Sequence, residues 1–313
     1  MRKICFPVLA LCMAILVSCS KDSNSSSNGG GGGNTTVGKK ISEIYGAYSY
    51  IEEESTDDGQ TWSQTYSYSY DSEDEAWNWN GDKITSIDYY YESEIYGSDV
   101  FTYDSGGNVS KITYSNSDYI KFTYSGSKIS KFEIYVDAIL YEAWELSYSG
   151  NKIIRINCIY LDDTKAKISD RRKSFLKNFH YAENSGTSLQ KDDLPYMTLT
   201  WTGNNITQIR EVWPDEEEYT ETYSYDSKQN PYYGGNVLTA EVIFNEEIAK
   251  LSQNNVTYVS NSEGYTYNYS YNYYDNYPMQ KTYSHVYTGT YSDGTMYRDT
   301  YTNRYDYTYL TEN

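Results

Sequence analysis

The sequence predicts an all-β protein, a large antiparallel up-and-down meander of hairpin repeats that curls into an open sheet or a barrel. Three observations predict this fold class. Tyrosine accounts for 41 of the 313 residues and alternates with Ser, Thr and Asn over several stretches. One hairpin-like unit recurs along the chain, and turns that contain Gly and Asn separate its strands. A single hairpin cannot bury its apolar face, so the units must pair side by side.

Tyrosine alternation is strictest in three stretches, 66–70, 265–273 and 305–309. A period of two places the rings of one strand on one face and Ser, Thr and Asn on the other. Leu, Ile, Val and Phe form only about 17 % of the chain, which together with a net charge of −19 is typical of disorder. Because a tyrosine buries a large ring while its hydroxyl stays hydrated, we expect tyrosines to replace the missing aliphatic residues.

Five copies of the hairpin unit align with one another. Each has an apolar residue, an aromatic residue two positions later, a polar turn with Gly, and then two apolar residues three positions apart. Residues three apart face opposite sides of a strand, so we expect a bulge or a longer loop between them. The last interval between units fits two repeats or one repeat with an insertion. The first residues of the apolar pairs are Ile84, Val109, Ile129, Ile153 and Ile206.

These units carry a resemblance. The stretch FTYDSGGNVSKI, which starts at Phe101, resembles a YD repeat of secreted β-meander shells. Residues 41–309 resemble a Bacteroidetes outer-membrane lipoprotein family of unknown function with a porin-like fold. The resemblance implies a large antiparallel sheet curled toward a barrel, and the family has no established catalytic or binding residues to carry over. Besides the hairpins, the matching features are Tyr225-Asp226, Asn230-Pro231-Tyr232, LSQNNV at 251–256 and Tyr277-Pro278.

The chain begins with a predicted signal peptide at residues 1–18. Two basic residues precede an apolar run at 4–17 that is too short to span a bilayer comfortably as a permanent helix. The run Leu16-Val17-Ser18-Cys19 resembles the lipobox of bacterial lipoproteins, which implies cleavage before Cys19 and lipidation of its sulfur. We therefore expect a membrane partner, reached through the lipid anchor at Cys19.

Residues 19–40 form the predicted lipidated anchor and a Ser/Gly-rich tether, and residues 41–313 form a single β-meander domain. Ser20 follows the anchor in place of the aspartate associated with inner-membrane retention, so we expect the outer membrane. The sequence leaves open whether the domain faces the periplasm or the cell surface. A pI near 4.5 excludes a nucleic-acid binder, which needs a basic face.

Two segments depart from the strand pattern. Residues 165–181 carry apolar residues at helical spacing and a basic cluster, which fits a surface helix, a long hairpin loop or a docking element for an acidic partner. The run Asn245-Glu246-Glu247-Ile248-Ala249 resembles a helix cap and a single turn. A tyrosine face suits membrane interfaces better than the bilayer midplane, so we expect Tyr and Ile to pack inward rather than a spanning barrel.

Residues with catalytic chemistry are few. His180 and His285 have no metal-binding spacing, and neither a nucleophile elbow nor a phosphate loop occurs. Cys158 shares an alternation face with Ile154, Ile156 and Tyr160, and we expect a small buried residue there. We predict no catalytic residue, no metal site and no cofactor, and hence a protein that is not an enzyme.

Carboxylate runs occur at 57–58, 71–75 and 215–218, and we expect them in solvated hairpin loops. Calcium binding and glycoside hydrolysis are the alternatives. The sequence contains no calcium-loop motif, and sequence spacing cannot set two carboxylates across a cleft.

Trp77, Trp79 and Trp201 are the candidate ligand platform, on which sugar rings could stack if the indoles are exposed. Burial in a core is the competing interpretation, favoured by the constant offset of aromatics in the repeats. We expect a non-catalytic binding module for a glycan or another envelope polymer. The alternatives are a structural or protein-interaction lipoprotein and, more remotely, a calcium-stabilised scaffold or a hydrolase.

Overall fold

The structure is a computed structural model that describes residues 39–114, 117–161, 194–213, 218–233, 236–244 and 247–310. These residues form 17 strands, one α-helix and one 3₁₀ turn. The strands are β1 Ile41–Ser55, β2 Ser63–Asp71, β3 Asp74–Asn80, β4 Lys83–Tyr91, β5 Glu94–Tyr103, β6 Val109–Thr113, β7 Tyr119–Ser125, β8 Lys128–Val136, β9 Ile139–Ser149, β10 Lys152–Leu161, β11 Tyr196–Thr202, β12 Asn205–Val212, β13 Tyr219–Gln229, β14 Asn254–Asn261, β15 Thr266–Tyr274, β16 Tyr277–Thr290 and β17 Met296–Tyr309. Helix α1 is Asn236–Phe244, and the 3₁₀ turn is Ile248–Leu251.

The strands close into a barrel. From β3 to β17, each strand pairs antiparallel with its neighbours in the chain, and β17 pairs with β1 over the length of both strands. On its other side β1 pairs first with β2 and then with β3. Because β2 and β3 together occupy one position in the wall, the 17 strands make a closed 16-strand barrel. The predicted antiparallel meander is confirmed, and closure decides between the open sheet and the barrel.

Gly46 on β1 makes the junction of β2 and β3 possible. A Cβ at this position would lie 2.1 Å from Ser72 Oγ and 2.7 Å from the Glu73 carbonyl oxygen. The Ser72 N–H donates to the Gly46 carbonyl over 2.9 Å, and the Gly46 N–H donates to Asp74 over 3.1 Å. The wall therefore bends inward over a residue without a side chain.

The predicted bulge is present in all five hairpin units. The strand register shifts at the aromatic residue of each unit, for instance between Thr123 and Tyr124, where Ser130 is the extra residue on the opposite strand. The Ser130 hydroxyl donates to the Thr123 carbonyl over 3.2 Å. A bulge leaves part of the ladder unpaired, and the extra polar side chain restores a hydrogen bond there.

Each bulge is tied to the next hairpin by a hydrogen bond that repeats around the wall. The aromatic residue of the next unit, or of β13 after the last unit, donates to the backbone carbonyl of the first apolar residue in the preceding unit. These bonds run from Tyr103 to Ile84 (2.8 Å), Tyr124 to Val109 (2.9 Å), Tyr148 to Ile129 (2.8 Å), Trp201 to Ile153 (2.7 Å) and Tyr225 to Ile206 (2.5 Å). We call this series the aromatic ladder. Since β10 pairs directly with β11, the long interval before Ile206 is one repeat with an insertion.

The two ends of the barrel differ. Two-residue turns with a left-handed glycine, such as Gly126 at φ 62°, lie at one end, which we call the base. The first residue of β1 pairs with the last residue of β17, so both ends of the described chain also lie at the base. The opposite end, which holds the connection from β1 to β2, is the mouth.

Helix α1 and the 3₁₀ turn connect β13 to β14 at the base and pack into the barrel interior. Ala240, Glu241, Val242 and Ile243 are all buried, and α1 contacts β6 and β8. Helix α1 could not be predicted, because the apolar residues of its sequence form no amphipathic stripe. The turn expected at 245–249 is the 3₁₀ turn Ile248–Leu251, while residues 165–181 lie outside the described ranges.

Inward and outward faces of the wall have different compositions. On β1, Tyr48 and Tyr50 share the inward face with Ile44, which is buried. Outward positions on neighbouring strands are mostly polar, such as Ser67 and Ser69 on β2 and Thr300, Thr302 and Arg304 on β17. Tyr and Ile therefore point into the barrel, as expected from the sequence. No helix among the described ranges has the length and apolar character to cross a bilayer.

Candidate functional site

The inward face near the mouth carries a continuous sheet of aromatic rings. It extends over five adjacent strands, β15, β16, β17, β1 and β2, and comprises ten tyrosines and one histidine. We call it the aromatic panel. Its members are Tyr48, Tyr50, Tyr66, Tyr68, Tyr70, Tyr267, Tyr269, Tyr283, His285, Tyr287 and Tyr301.

Rings on β1 and β2 interleave across the strand pair. The ring centroids of Tyr48 and Tyr70 are 5.0 Å apart, and those of Tyr50 and Tyr68 are 5.2 Å apart. Tyr68 and Tyr70 are nearly parallel, with 6.1 Å between centroids and an interplanar angle of 6°. Tyrosine is favoured in strands, and the register of β1 against β2 places these residues directly opposite each other.

Closure of the barrel joins this half of the panel to the other half. The ring centroid of Tyr301 on β17 lies 4.9 Å from that of Tyr50 and 5.7 Å from that of Tyr287, which it meets edge-on. Tyr287 then contacts His285 at 4.1 Å, and His285 contacts Tyr267 on β15 at 5.9 Å. The panel thus depends on residues far apart in the chain that meet only because β17 pairs with β1.

Solvent reaches the panel at the mouth but not below it. Tyr66 and Tyr70 are 55 % and 51 % exposed although their rings face inward. Toward the base, Tyr307 on β17 is 3 % exposed and packs in the core. Ligand sites are concave surfaces lined by aromatic residues with a few polar groups, and an accessible inward-facing panel has this character.

Long strands raise the panel above the rest of the wall. β1, β16 and β17 have 15, 14 and 14 residues, whereas β6 and β7 on the other side have 5 and 7. At about 3.4 Å per residue, the long strands extend for roughly 45 Å and the short ones for about 20 Å. One side of the mouth is therefore a high wall faced with tyrosine.

Two carboxylates flank the centre of the panel. The Tyr50 hydroxyl lies 2.9 Å from an Asp299 oxygen and 3.2 Å from a Glu52 oxygen. Burial and the neighbouring Asp299 raise the pKa of Tyr50 well above its ordinary value, so the phenol keeps its proton at neutral pH. The phenol has one proton to donate, so it satisfies only one of these carboxylates at a time.

Below the panel, the interior holds buried ionisable groups that are bonded to aromatic neighbours. Glu75 accepts the indole N–H of Trp77 over 3.0 Å, and Asp99 accepts the Tyr89 hydroxyl over 2.6 Å. Burial raises the pKa of Glu75 to about 8 and lowers the pKa of Lys281 to about 8. These groups therefore form a polar layer within the core between the panel and α1.

The three predicted platform residues lie within the wall and do not form an exposed surface. Trp77 is buried, and its N–H is bonded to Glu75. Trp79 and Trp201 are half-buried and donate to backbone carbonyls of Ile41 and Ile153, each over 2.7 Å. Lysine ammonium groups lie over both indoles, at 5.7 Å for Trp79 and 5.6 Å for Trp201. Trp201 belongs to the aromatic ladder, and Trp79 makes the same kind of bond to β1.

The acidic runs have separate structural roles. Asp57 closes the loop between β1 and β2 by accepting from the Thr61 hydroxyl and N–H, and these bonds lower its pKa to about 2. The expectation that 71–75 is a hairpin loop is wrong. This run bridges β2 and β3, because Gly46 allows the strand to bend there instead of turning back. In the third run, only Glu218 is described, and it pairs with Arg210.

The remaining single residues are structural. Cys158 is buried and donates to the Tyr160 carbonyl over 3.3 Å, and burial raises the pKa of its thiol to about 12. Alternation predicts that Ile154 and Tyr160 share the buried face of Cys158, but both are exposed. Bulges on both sides of Cys158 shift the strand register and turn them outward. Among the described parts of the chain, no three His, Cys, Asp or Glu residues are arranged to hold a metal ion.

No known protein-family profile and no curated protein sequence matches the chain. A porin-like protein from Bacteroides uniformis has a similar structure, with a TM-score of 0.49 and 13 % sequence identity over 86 % of this chain and 96 % of that chain. The TcdB2-TccC3 structure matches 72 % of this chain and 11 % of that chain, with a TM-score of 0.20 and 15 % identity. The barrel assignment rests on the strand pairing of this chain, and the family resemblance stays a prediction.

Proposed function

We propose that the protein is a non-catalytic binding module of the cell envelope and that the aromatic panel binds a glycan. The observation that carries the proposal is the panel itself, a run of inward-facing and half-exposed rings that crosses five strands. Aromatic faces carry a negative quadrupole and attract positive edges. The C–H hydrogens on the face of a sugar ring are such a positive partner, and that face is about as large as one tyrosine ring.

The polar groups beside the panel support a glycan over an apolar ligand. Phenolic hydroxyls and the Glu52 and Asp299 carboxylates surround the rings, and sugar hydroxyls both donate and accept hydrogen bonds. Tyrosine also loses little conformational entropy on binding, since its side chain has two torsions. A long, shallow, aromatic surface therefore suits an extended polymer better than a compact small molecule.

The position of the chain ends determines the orientation that a lipid anchor would give the barrel. The described chain begins at the base with Lys39, so the predicted lipid anchor at Cys19 would be attached at that end. The mouth and the panel would then face away from the membrane. The outward faces of the strands around the panel, with their Ser, Thr and Arg, lack the apolar band of a transmembrane barrel.

Affinity electrophoresis of the full chain through gels that contain polysaccharides with and without amino sugars tests the binding function. We expect retardation in at least one gel and a large reduction of it by Tyr68→Ala, which removes a ring with four neighbours in the panel. The matched control is Tyr135→Ala, because Tyr135 stacks on Tyr119 at 4.5 Å on the outer face. Equal mobility in all gels, or equal loss with both variants, contradicts the proposal.

Metabolic labelling with a fatty acid tests the location. The wild-type chain should incorporate the label and fractionate with the outer membrane, while Cys19→Ser should do neither. Release of unlabelled wild-type chain into the soluble fraction would contradict a lipid anchor at Cys19.

The competing function is a structural or protein-interaction lipoprotein. One observation favours it, because cross-strand tyrosine pairs such as Tyr48 with Tyr70 stabilise a sheet without any ligand. Crosslinking in the intact envelope would then trap a stable protein partner. Recovery of the monomer alone, together with retardation by a polysaccharide, favours glycan binding.

A further inference from the structure

We infer that the glycan is a polymer of amino sugars with free ammonium groups, rather than a neutral or an anionic polymer. This inference rests on the proposed function and adds the charge of the ligand. It comes from the charges that share the inward face with the aromatic panel, which are all negative among the described residues above Lys281.

The negative charge is concentrated at the centre of the panel. Glu52 and Asp299 are cross-strand partners on β1 and β17, and both lie within 3.2 Å of the Tyr50 hydroxyl. Glu54 continues the inward face of β1 one step closer to the mouth. The Thr65 hydroxyl donates to the other Glu52 oxygen over 2.6 Å, but the single phenolic proton cannot satisfy both carboxylates. An ammonium group placed between them would add donors and reduce their repulsion.

Basic side chains of the same strands do not compete for these carboxylates. Arg298 alternates with Asp299, so it faces outward, where its Nε donates to Glu53 over 2.7 Å. Arg304 also faces outward and donates to Asp306 over 3.0 Å. Within the panel, burial lowers the pKa of His285 and so favours its neutral form at pH 7.

The rings themselves favour the same charge. A cation above the face of a tyrosine is attracted by the ring quadrupole, and the chain already shows this contact, with Lys281 Nζ 4.7 Å from the Tyr269 ring centroid. An amino sugar combines a C–H face that stacks with an ammonium that the carboxylates accept. An anionic polymer would have to approach a protein with a net charge of −19.

Titration calorimetry with the full chain and four hexameric probes tests the inference, in a buffer in which the amines are protonated. The probes are glucosamine, N-acetylglucosamine, galacturonate and lysine hexamers. We expect the glucosamine hexamer to bind about tenfold more tightly than its acetylated counterpart, because a hydrogen bond to a charged group is the stronger kind. The ratio should fall as salt is added, and the galacturonate hexamer should bind most weakly of the three sugars.

Three variants show which residues cause the difference in affinity. The double variant Glu52→Gln with Asp299→Asn should bind the glucosamine and N-acetylglucosamine hexamers with nearly equal affinity. Its affinity for the acetylated hexamer should match that of the wild type. Asp71→Asn is the matched control, because Asp71 ends β2 on the outer face and its loss should leave the ratio unchanged. Tyr68→Ala should weaken both probes.

The outcomes separate the two proposals. Equal affinity for the free and acetylated hexamers overturns the inference and leaves glycan binding standing. Absence of binding by every sugar overturns both. Binding of the lysine hexamer as tight as that of the glucosamine hexamer, with loss in the carboxylate variant and none in Tyr68→Ala, also overturns the inference, since a cationic peptide would then be the ligand.

Discussion

The two sides of the barrel line the same interior with different residues. From β3 to β12 the inward positions are largely isoleucine, phenylalanine and tryptophan, and they pack against α1 and the 3₁₀ turn. From β15 through β17 to β1 and β2 they are tyrosine, and near the mouth nothing described covers them. We call these the isoleucine side and the tyrosine side. The isoleucine side is a closed core, whereas the tyrosine side is a core at the base and a surface at the mouth.

Aliphatic side chains need burial, but tyrosine tolerates both environments because its hydroxyl can remain hydrated. This explains how one strand, β17, can carry Tyr307 in the core and Tyr301 in the panel. The difference between the sides should therefore be visible in stability, since only buried rings contribute through close packing.

Truncation of a ring should have its largest effect on the isoleucine side. Phe132 is fully buried and lies 6.2 Å from Trp144, so Phe132→Ala should lower the free energy of unfolding by about 3–5 kcal/mol. Tyr68→Ala, in the exposed panel, should cost less than about 1.5 kcal/mol. Denaturant unfolding followed by circular dichroism measures both, and equal losses would contradict the contrast between the sides.

Gly46 on the tyrosine side should be sensitive to substitution, because the backbone that joins β2 to β3 lies against it. In Gly46→Ala, the new methyl group would meet the Glu73 carbonyl oxygen at 2.7 Å, and this backbone cannot move without opening the kink. We expect a loss of about 1–3 kcal/mol in the free energy of unfolding. Gly97→Ala is the control, since nothing lies within 4 Å of a Cβ there. Similar melting temperatures for the two variants would show that the kink is not packed as described.

The polar layer between the panel and α1 should make stability depend on pH. Burial raises the pKa of Glu75 to about 8, while an unfolded glutamate titrates near about 4.3. In this window the folded chain holds a proton that the unfolded chain has released, so stability falls as the pH rises from about 4.3 to 8. Lys281, with its pKa lowered to about 8, gives the opposite slope above that pH.

Melting temperatures of wild type and Glu75→Gln between pH 5 and 8 check this dependence, and the variant should show the flatter profile. A wild-type profile that rises over this range, or that Glu75→Gln leaves unchanged, would mean that Glu75 is ionised in the folded chain.

The aromatic ladder should give the smallest effect. Tyr148→Phe removes the hydroxyl that donates to the Ile129 carbonyl over 2.8 Å and should cost about 1 kcal/mol. Tyr119→Phe on the outer face is the control and should have little effect. If the two substitutions are equivalent in thermal unfolding, the ladder does not stabilise the bulges.

Much of the wall could be predicted from the sequence because its signals are local. Alternation fixes which residues share a face, and the spacing of Ile84 and Ile87 indicates the bulge through a mismatch with period two. The hydrogen bond from Tyr103 to the Ile84 carbonyl could not be predicted, since it depends on the register between neighbouring units.

The candidate site was less accessible to prediction. The pair Trp77 and Trp79 predicts a ligand platform, but both indole N–H groups donate hydrogen bonds within the wall. The alternating tyrosines at 66–70 and 265–273 predict strand faces, but their union into one panel requires β17 to pair with β1. The pairing of the first strand with the last leaves no pattern within any single segment of the sequence. Helix α1 was missed for the related reason that its surroundings, and not its own periodicity, make it a helix.

Hydroxyl-radical footprinting, read by mass spectrometry with and without glucosamine hexamer, measures which panel tyrosines are open and whether a glycan covers them. In the free chain, we expect rapid modification of Tyr66, Tyr68 and Tyr70 at the mouth and slow modification of Tyr307 in the core. The hexamer should protect the three mouth tyrosines and leave the outward-facing Tyr135 unchanged. Slow modification of the mouth tyrosines, or reactivity that no amino-sugar or neutral oligosaccharide alters, would contradict an open panel that binds a glycan.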